Sequence, residues 1–239
     1  MSPSEKPQTG FDLSSVDALL TGTRAVRKRL DLDRDVDLDV VQECLRIALQ
    51  APTGSNMQRW RWVVVTEQDK KDALGDIYRR SIDPYHDIME QLAGDNEQTK
   101  KVIASSRYLA DNLPRIPVLV IPCHLGTPDD MRKLLGPLGY PHEITDNLAA
   151  SGFYGSIWPA VWSFMLALRS RGLASTLTTM HLALEHETQD LLGIPGTVSQ
   201  MGIVPVAHFK GQTFKPAKRR AAEEVTYWNV WKTTRRPPD

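Results

Sequence analysis

The chain has 239 residues, of which 41% are hydrophobic and 24% charged, and its formal net charge is zero. This composition is typical of a globular protein, and the length fits one large domain or two small ones. The lack of a basic excess argues against a nucleic-acid-binding protein and against binding to an anionic membrane surface.

The segment 1–10 is polar and lacks the apolar core of a signal peptide. No apolar run reaches the ~18 residues that a transmembrane helix needs. The two cysteines, Cys44 and Cys123, have neither C-x-x-C nor zinc-site spacing, so we expect them to be buried in a protein of a reducing compartment. We therefore predict a cytoplasmic protein with a flexible tail over 1–10, a single domain over 11–239, no membrane segment and no metal.

The spacing of apolar residues, together with Gly, Pro and Asn breakers, predicts both helices and strands. Helices are predicted over 12–21, 38–49, 70–80, 100–113, 156–170 and 182–192, and strands over 60–66, 116–121, 173–179 and 198–206. Asp37 and Ser156 are expected to cap the second and fifth helices, and Gly172 to end the fifth. The fifth helix is apolar almost all round, which indicates a central or interface position. The segment 126–142, rich in Gly and Pro, is predicted to be a loop or lid.

Three polar segments lie at element boundaries. The first, 23–29, holds four cations within six residues, and arginine binds phosphate oxygens with two parallel hydrogen bonds. The second, 51–60, combines small residues, which allow close approach to a ligand, with Ser, Asn and Gln as directed hydrogen-bonding groups. The third, 218–225, is a late basic cluster. Each alone is more often an ordinary turn or a solvated charge run, and their combination and order carry the argument.

These segments and three others together resemble the nitroreductase family of FMN-dependent flavoproteins. The family motif R-R-S-V-R corresponds to Thr23-Arg24-Ala25-Val26-Arg27, and A-P-S-G-S-N-x-Q-P-W corresponds to 51–60. The G-L-G motif corresponds to Arg171-Gly172-Leu173-Ala174, and a threonine-rich turn corresponds to Leu177-Thr178-Thr179. Last in order, P-V-G-Y corresponds to Pro205-Val206-Ala207-His208, and K-R-x-P-x-E-E-V corresponds to 218–225. The resemblance runs from about residue 20 to residue 231, and 80–145 lacks matching motifs.

The resemblance implies an α+β fold, in which a central, mostly antiparallel sheet carries helices on both faces. It also implies a homodimer with two FMN sites at the interface. NAD(P)H would give a hydride to flavin N5 and leave, and a small nitroaromatic, quinone-like or similar acceptor would then take the electrons. Because the flavin performs the chemistry, no catalytic side chain is assigned.

The residues that the resemblance assigns to FMN are Arg24, Ala25, Arg27, Thr53, Gly54, Ser55, Asn56, Leu177, Thr178, Thr179 and Arg219. The arginines correspond to phosphate-binding positions, 177–179 to the turn beside the pyrimidine edge, and 53–56 to a loop that the partner subunit often supplies. Four positions depart from the family pattern. They are Thr23 for the first arginine, Ala25 for serine, Arg59 for the proline of Q-P-W, and Ala207 for the glycine of P-V-G-Y.

Alternatives remain open. Similar proteins that remove iodine reductively from iodotyrosine hold the amino acid with an E-x-x-x-Y motif and a lysine, and no E-x-x-x-Y occurs between residues 67 and 154. A flavin-binding protein without turnover, for storage or sensing, would have the same flavin residues.

A Rossmann dinucleotide fingerprint is excluded because the chain has no G-x-G. The two histidines of 181–186 do not have the spacing of a zinc motif, so we expect a surface helix there.

Overall fold

The computed structural model describes residues 10–234, which form two compact units. One unit is Thr23–Gln212, and the other joins the described parts of Met1–Gly22 and Thr213–Asp239. The predicted flexible tail falls almost entirely on residues 1–9, which lie outside the described part of the chain. The single domain over 11–239 stays a prediction.

The larger unit contains seven helices and six strands of the described chain. Its helices are α2 (Leu38–Ala48), α3 (Gln68–Ala93), α4 (Glu97–Asn112), α5 (Asp130–Leu135), α6 (Asp146–Gly155), α7 (Trp158–Ser170) and α8 (Glu185–Leu192). Its strands are β1 (Leu30–Asp31), β2 (Trp60–Val65), β3 (Val118–Leu125), β4 (Leu173–Ser175), β5 (Val198–Gln200) and β6 (Val204–Phe209). Short 3₁₀ turns cover Gly54–Asn56, Leu113–Arg115 and Met180–Leu184. The smaller unit holds α1 (Leu13–Gly22) and α9 (Ala222–Val225).

The six strands form one sheet in the order β1-β6-β3-β2, with β4 paired to β6 and β5 paired to β3. Each of these strand pairs is antiparallel. Strand β3 is central, since β2 pairs along one side of it and β5 and β6 share the other. The predicted α+β fold with a mostly antiparallel sheet and helices on both faces is confirmed.

The core follows from the alternation of side chains along β3. Val118 and Val120 belong to the hydrophobic cluster that also contains the buried faces of α2 and α7. Leu119 and Ile121 project to the opposite face, as the two-residue period of a strand requires, and both are fully buried. The sheet is therefore covered on both faces.

Two predicted helix ends are confirmed in detail. The Asp37 side chain accepts a hydrogen bond from the Asp39 backbone N–H at 2.9 Å and caps α2. Gly172 follows α7 with a φ of +76°, a conformation that glycine adopts without steric cost. Helix α7 buries Phe164 and Leu168 but leaves Trp162 44% exposed, so its apolar surface is only partly covered within this chain.

Helix α3 is much longer than the helix predicted over 70–80. It has 26 residues and continues through Pro84. Proline lacks an N–H, so the helix loses one backbone hydrogen bond at this position. Tyr78, Ile82 and His86 are buried on the two sides of Pro84. We attribute the continuity of the helix to this packing, which outweighs the lost hydrogen bond.

The loop predicted over 126–142 is partly wrong, because it contains the six-residue helix α5. Arg132 of α5 donates to the carbonyl of Ile144 at 2.8 Å and pairs with Asp129 at 2.6 Å. It also pairs with Asp146, the first residue of α6. A helix of six residues is too short to show a helical pattern in the sequence, and the contacts of Arg132 involve side chains and a carbonyl outside the helix.

Two of the predicted strands also differ. The strand predicted over 173–179 ends at Ser175, and the strand predicted over 198–206 is divided into β5 and β6. The division falls at Gly202, where a Cβ atom would lie 2.8 Å from both the Leu177 Cδ1 and the carbonyl oxygen of Thr178. The close approach of segment 177–179 to Gly202 therefore shapes both the segment after β4 and the connection between β5 and β6.

Candidate functional site

The arginine-containing segment 23–29 lies beside the end of β4. The backbone N–H of Val26 donates to the Ser175 carbonyl at 3.0 Å, and the Val26 side chain is buried. Arg24, two positions before Val26, and Arg27, one position after it, are both half-buried. Ala25 is exposed. Within the described chain, Nε of Arg27 is buried and has no hydrogen-bond partner. A buried guanidinium nitrogen left in this way is a strong donor with capacity for an anionic ligand.

The threonine turn 177–179 is fixed by two backbone hydrogen bonds. The Thr178 N–H donates to the Ile203 carbonyl at 3.0 Å, and the Ile203 N–H donates to the Thr178 carbonyl at 2.8 Å. With Gly202 packed against the same turn, the backbone position of Thr178 is determined on both sides.

Tyr78 of α3 connects these two segments, and the sequence reasoning missed it. Its Oη lies 2.6 Å from Oγ1 of Thr178, and the residue is 1% exposed. Burial raises the pKa of the Tyr78 phenol, while the hydrogen bond to Thr178 and the positive charge of Arg27 act in the opposite direction. Thr178 therefore contacts Tyr78 directly, and the charge of Arg27 acts on the same phenol. A tyrosine on the apolar side of a helix was the available signal, because a buried hydroxyl needs a polar partner.

The loop 53–56 is anchored elsewhere, at the start of α7. The Gly54 N–H donates to Oγ of Ser156 at 3.1 Å, and that hydroxyl donates to the Gly152 carbonyl at 2.6 Å. The prediction that Ser156 caps α7 is therefore wrong: its side chain bonds back to α6 and holds the loop, and the residue before α7 is Ile157.

The same loop contains unusual backbone geometry. Ser55, Asn56 and Gln58 have φ values of 50°, 52° and 50°, in the left-handed region that residues other than glycine rarely adopt. Such strain persists only where surrounding contacts impose it, and it is concentrated at functional sites. Thr53 Oγ1 is buried and, among the described residues, has no hydrogen-bond partner.

A cavity of about 230 Å³ adjoins this loop. Its walls are largely apolar, from Met57, Met131, Leu134, Leu135, Ala149 and Phe153. Arg59 also lines it, and its guanidinium lies 3.4 Å from the Asp130 carboxylate, which accepts a hydrogen bond from Thr127 at 3.1 Å. The residue that replaces the family's proline therefore connects the loop to α5.

His124 lies on the inner wall of the cavity. Its ring is 4.3 Å from that of Phe153 in an edge-on arrangement, and its Nδ1 is 2.9 Å from the Leu125 carbonyl. Burial lowers the pKa of His124, so the imidazole is neutral at neutral pH. The cavity is thus an apolar space with one arginine–aspartate pair at its polar side.

Arg219 belongs to the smaller unit. It is exposed, and its Nη1 donates to the carbonyl of Lys218 at 3.1 Å. Its assignment to the FMN phosphate stays a prediction.

Residues 10–234 contain neither a membrane-spanning helix nor a cluster suited to a metal ion. No helix there has the length and apolarity required to cross a membrane. No cluster of three or more His, Cys, Asp or Glu side chains within that range has an arrangement suited to a metal ion.

The fold is an α+β domain whose polar groups include the Tyr78–Thr178 pair and Arg27, whose buried Nε has no hydrogen-bond partner among the described residues. A family model described as the nitroreductase family matches residues 20–208. The chain belongs to the nitroreductase family, as the sequence motifs predicted.

Solved structures have the same fold, and one relative is similar in sequence. The chain is 24% identical over 200 residues to iodotyrosine deiodinase from Drosophila melanogaster, and the match covers 80% of this chain and 61% of that protein. A crystal structure of oxidised iodotyrosine deiodinase bound to FMN and 3-iodo-L-tyrosine has a TM-score of 0.64 at 20% identity, covering 89% of this chain and 98% of the other. An FMN- and NADPH-dependent nitroreductase derived from Sphigopyxis sp. strain HMH has a TM-score of 0.61 at 19% identity, covering 89% and 98%.

Proposed function

We propose that this chain is an FMN-dependent oxidoreductase that passes electrons from NAD(P)H to a small aromatic or quinone-like acceptor. The observation that carries the proposal is the buried Nε of Arg27, which has no hydrogen-bond partner among the described residues. The charge of the same arginine acts on Tyr78, which is hydrogen-bonded to Thr178. Membership of the nitroreductase family supports it, and so does the FMN bound in one structural neighbour.

The residues present fit the phosphate and the ring of FMN. Arg24 and Arg27, with Arg219 as a further candidate, supply guanidinium groups that suit a terminal phosphate, and Ala25 adds no side-chain bulk. The turn at Leu177, Thr178 and Thr179 offers a hydroxyl and backbone groups for the pyrimidine edge. These cations favour FMN over FAD, because they suit a terminal phosphate. The resemblance also provides no site for the adenosine of FAD.

The loop of Thr53, Gly54, Ser55 and Asn56 would complete the site in a homodimer, reaching the FMN of the partner subunit. Its two left-handed residues, Ser55 and Asn56, suit a loop shaped to contact a ligand, and so does the buried Thr53 Oγ1, which has no hydrogen-bond partner among the described residues. Trp162 on α7 is partly exposed in the single chain, which supports a partner subunit that covers this surface in the assembled protein.

FMN, when bound, would supply the redox chemistry, and the protein residues would supply placement and electrostatic environment. Arg24 and Arg27 would hold the phosphate and so fix the cofactor's position. Thr178 would offer a hydroxyl to the ring edge. The cavity beside loop 53–56 removes water from an acceptor and packs it against methionine and phenylalanine side chains.

Reductive deiodination is the second candidate, and the similarity to iodotyrosine deiodinase is the observation in its favour. The missing E-x-x-x-Y between residues 67 and 154 leaves the zwitterion of an iodotyrosine without the partners that the resemblance requires. Cavity walls that are mainly apolar also suit an acceptor without an amino acid headgroup.

The test is to load purified protein with FMN or FAD and to add NADH or NADPH without oxygen. We expect FMN uptake, bleaching of the yellow colour, and recovery on adding a quinone or nitroaromatic. Recovery with 3-iodo-L-tyrosine and release of iodide would select the deiodinase. Bound flavin that neither nucleotide bleaches would select a binding protein, and a protein that takes up no FMN would contradict the proposal.

A further inference from the structure

Among the described residues, the Tyr78 hydroxyl has one hydrogen-bond partner, Thr178, which is a predicted flavin-site residue. Tyr78 is 1% exposed, so its phenol oxygen cannot rely on bulk water. The 2.6 Å separation between Oη and Thr178 Oγ1 is at the short end for two hydroxyls. The two groups come from α3 and from a turn 100 residues later in the chain.

The pair can in principle be bonded in either direction. A phenol is a stronger acid than an aliphatic alcohol, so the better arrangement has Tyr78 donating and Thr178 accepting. The hydrogen of Thr178 Oγ1 is then free to donate to a second acceptor. Because backbone hydrogen bonds to Ile203 already fix the Thr178 main chain, the side-chain hydroxyl is the group that Tyr78 controls.

We propose that Tyr78 is a positioning residue, whose phenol holds the Thr178 hydroxyl as a donor aimed at the bound flavin ring. This inference rests on the proposed function. A donor at the pyrimidine edge stabilises reduced flavin more than oxidised flavin, because reduction adds negative charge to the ring. Tyr78 would therefore raise the midpoint potential of the bound cofactor without touching it.

The closing experiment compares Tyr78→Phe, Thr178→Val and the double variant. Tyr78→Phe keeps the buried ring and removes only the hydroxyl. We expect binding of reduced FMN, relative to oxidised FMN, to weaken about three- to tenfold, which lowers the two-electron midpoint potential by about 15 to 30 mV. In the Thr178→Val background, Tyr78→Phe should shift the potential no further, because its effect passes through Thr178.

Tyr85→Phe is the matched control, since Tyr85 lies on the same helix and is 45% exposed. Its potential should equal that of the unaltered protein, and the melting temperature of each variant measures any purely structural effect. An unchanged potential in Tyr78→Phe would overturn the inference, as would a full shift that persists in Thr178→Val. If the unaltered chain fails to bind FMN, the proposed function is overturned together with the inference. If it binds FMN but Tyr78→Phe leaves the potential unchanged, only the inference is overturned.

Discussion

The backbone N–H of Gly54 donates a 3.1 Å hydrogen bond to the Ser156 hydroxyl, which itself donates to the Gly152 carbonyl. One side chain thus holds the loop 53–56 against the end of α6. The contact is close, since a Cβ atom on Gly54 would lie 2.8 Å from Ser156 Oγ. The strained residues Ser55 and Asn56 directly follow the anchored Gly54.

Replacing Ser156 with alanine should therefore loosen the loop. We expect the free energy of unfolding to fall by about 1 kcal/mol and FMN binding to weaken about two- to tenfold. Urea denaturation and an FMN titration measure the two effects. Ser151→Ala is the control, because the Ser151 hydroxyl is exposed on α6 and lies 3.4 Å from Asn147 Oδ1. Identical behaviour of the two variants would show that Ser156 does not anchor the loop.

The sequence predicted the elements whose residues carry a local signal. The cap at Asp37, the end at Gly172 and the strand beginning at Trp60 all follow from side-chain type and spacing. The length of α3 did not follow, because packing keeps the helix intact through Pro84.

The candidate site divides in the same way. The arginine segment was proposed from its residue types, which bear ligand chemistry themselves, and the threonine turn was proposed from the resemblance to the family. Tyr78 and the anchoring role of Ser156 were not identified, because each acts through a residue about 100 positions away. Contacts of that kind leave no local pattern in a single sequence.

His181 should make the protein sensitive to acid. Burial lowers the pKa of His181 to about 4, against a smaller opposing effect of its hydrogen bond to Gln200. The unfolded histidine titrates near its ordinary pKa of about 6.5, so the unfolded chain binds more protons between these values. Stability therefore falls as the pH drops through this window, by up to about 3 kcal/mol, and is independent of His181 above it.

Unfolding free energies of His181→Gln, measured by urea from about pH 7 to about pH 4.5, should decline less steeply than those of the unaltered protein. The decline should not vanish, because burial also lowers the pKa values of His86 and His124. His142→Gln is the control, since His142 is exposed. Equal slopes for His181→Gln and the unaltered protein would refute the prediction.

Arg219 carries a prediction that comes from the motif resemblance. Arg219→Ala should weaken FMN binding about ten- to a hundredfold, the value of one charge-assisted hydrogen bond to phosphate. Arg219→Lys should fall between, because an ammonium keeps the charge but cannot form two parallel bonds. Arg220→Ala should cost much less. If flavin fluorescence titration finds the loss only in the Arg220 variant, the motif is displaced by one residue.

The assembly state gives an independent check. We expect a homodimer with an interface above the ~2,000 Å² typical of obligate assemblies, covering Trp162 and neighbouring apolar residues of α7. Light scattering at micromolar concentration should give twice the chain mass of 26.8 kDa. Trp162→Glu should shift the mass toward the monomer and weaken FMN binding together, because loop 53–56 is proposed to reach the partner's cofactor. A monomeric mass for the unaltered protein would contradict this assignment.

The most direct test of the central claim is FMN titration of ligand-free protein, comparing Arg27→Ala with Lys28→Ala. Arg27 is half-buried with Nε lacking a hydrogen-bond partner among the described residues, whereas the neighbouring Lys28 is exposed. We predict one FMN per chain for the unaltered protein, about ten- to a hundredfold weaker binding for Arg27→Ala, and nearly unchanged binding for Lys28→Ala. Equal affinities of the Arg27 variant and the unaltered protein, or no FMN uptake at all, would contradict the account.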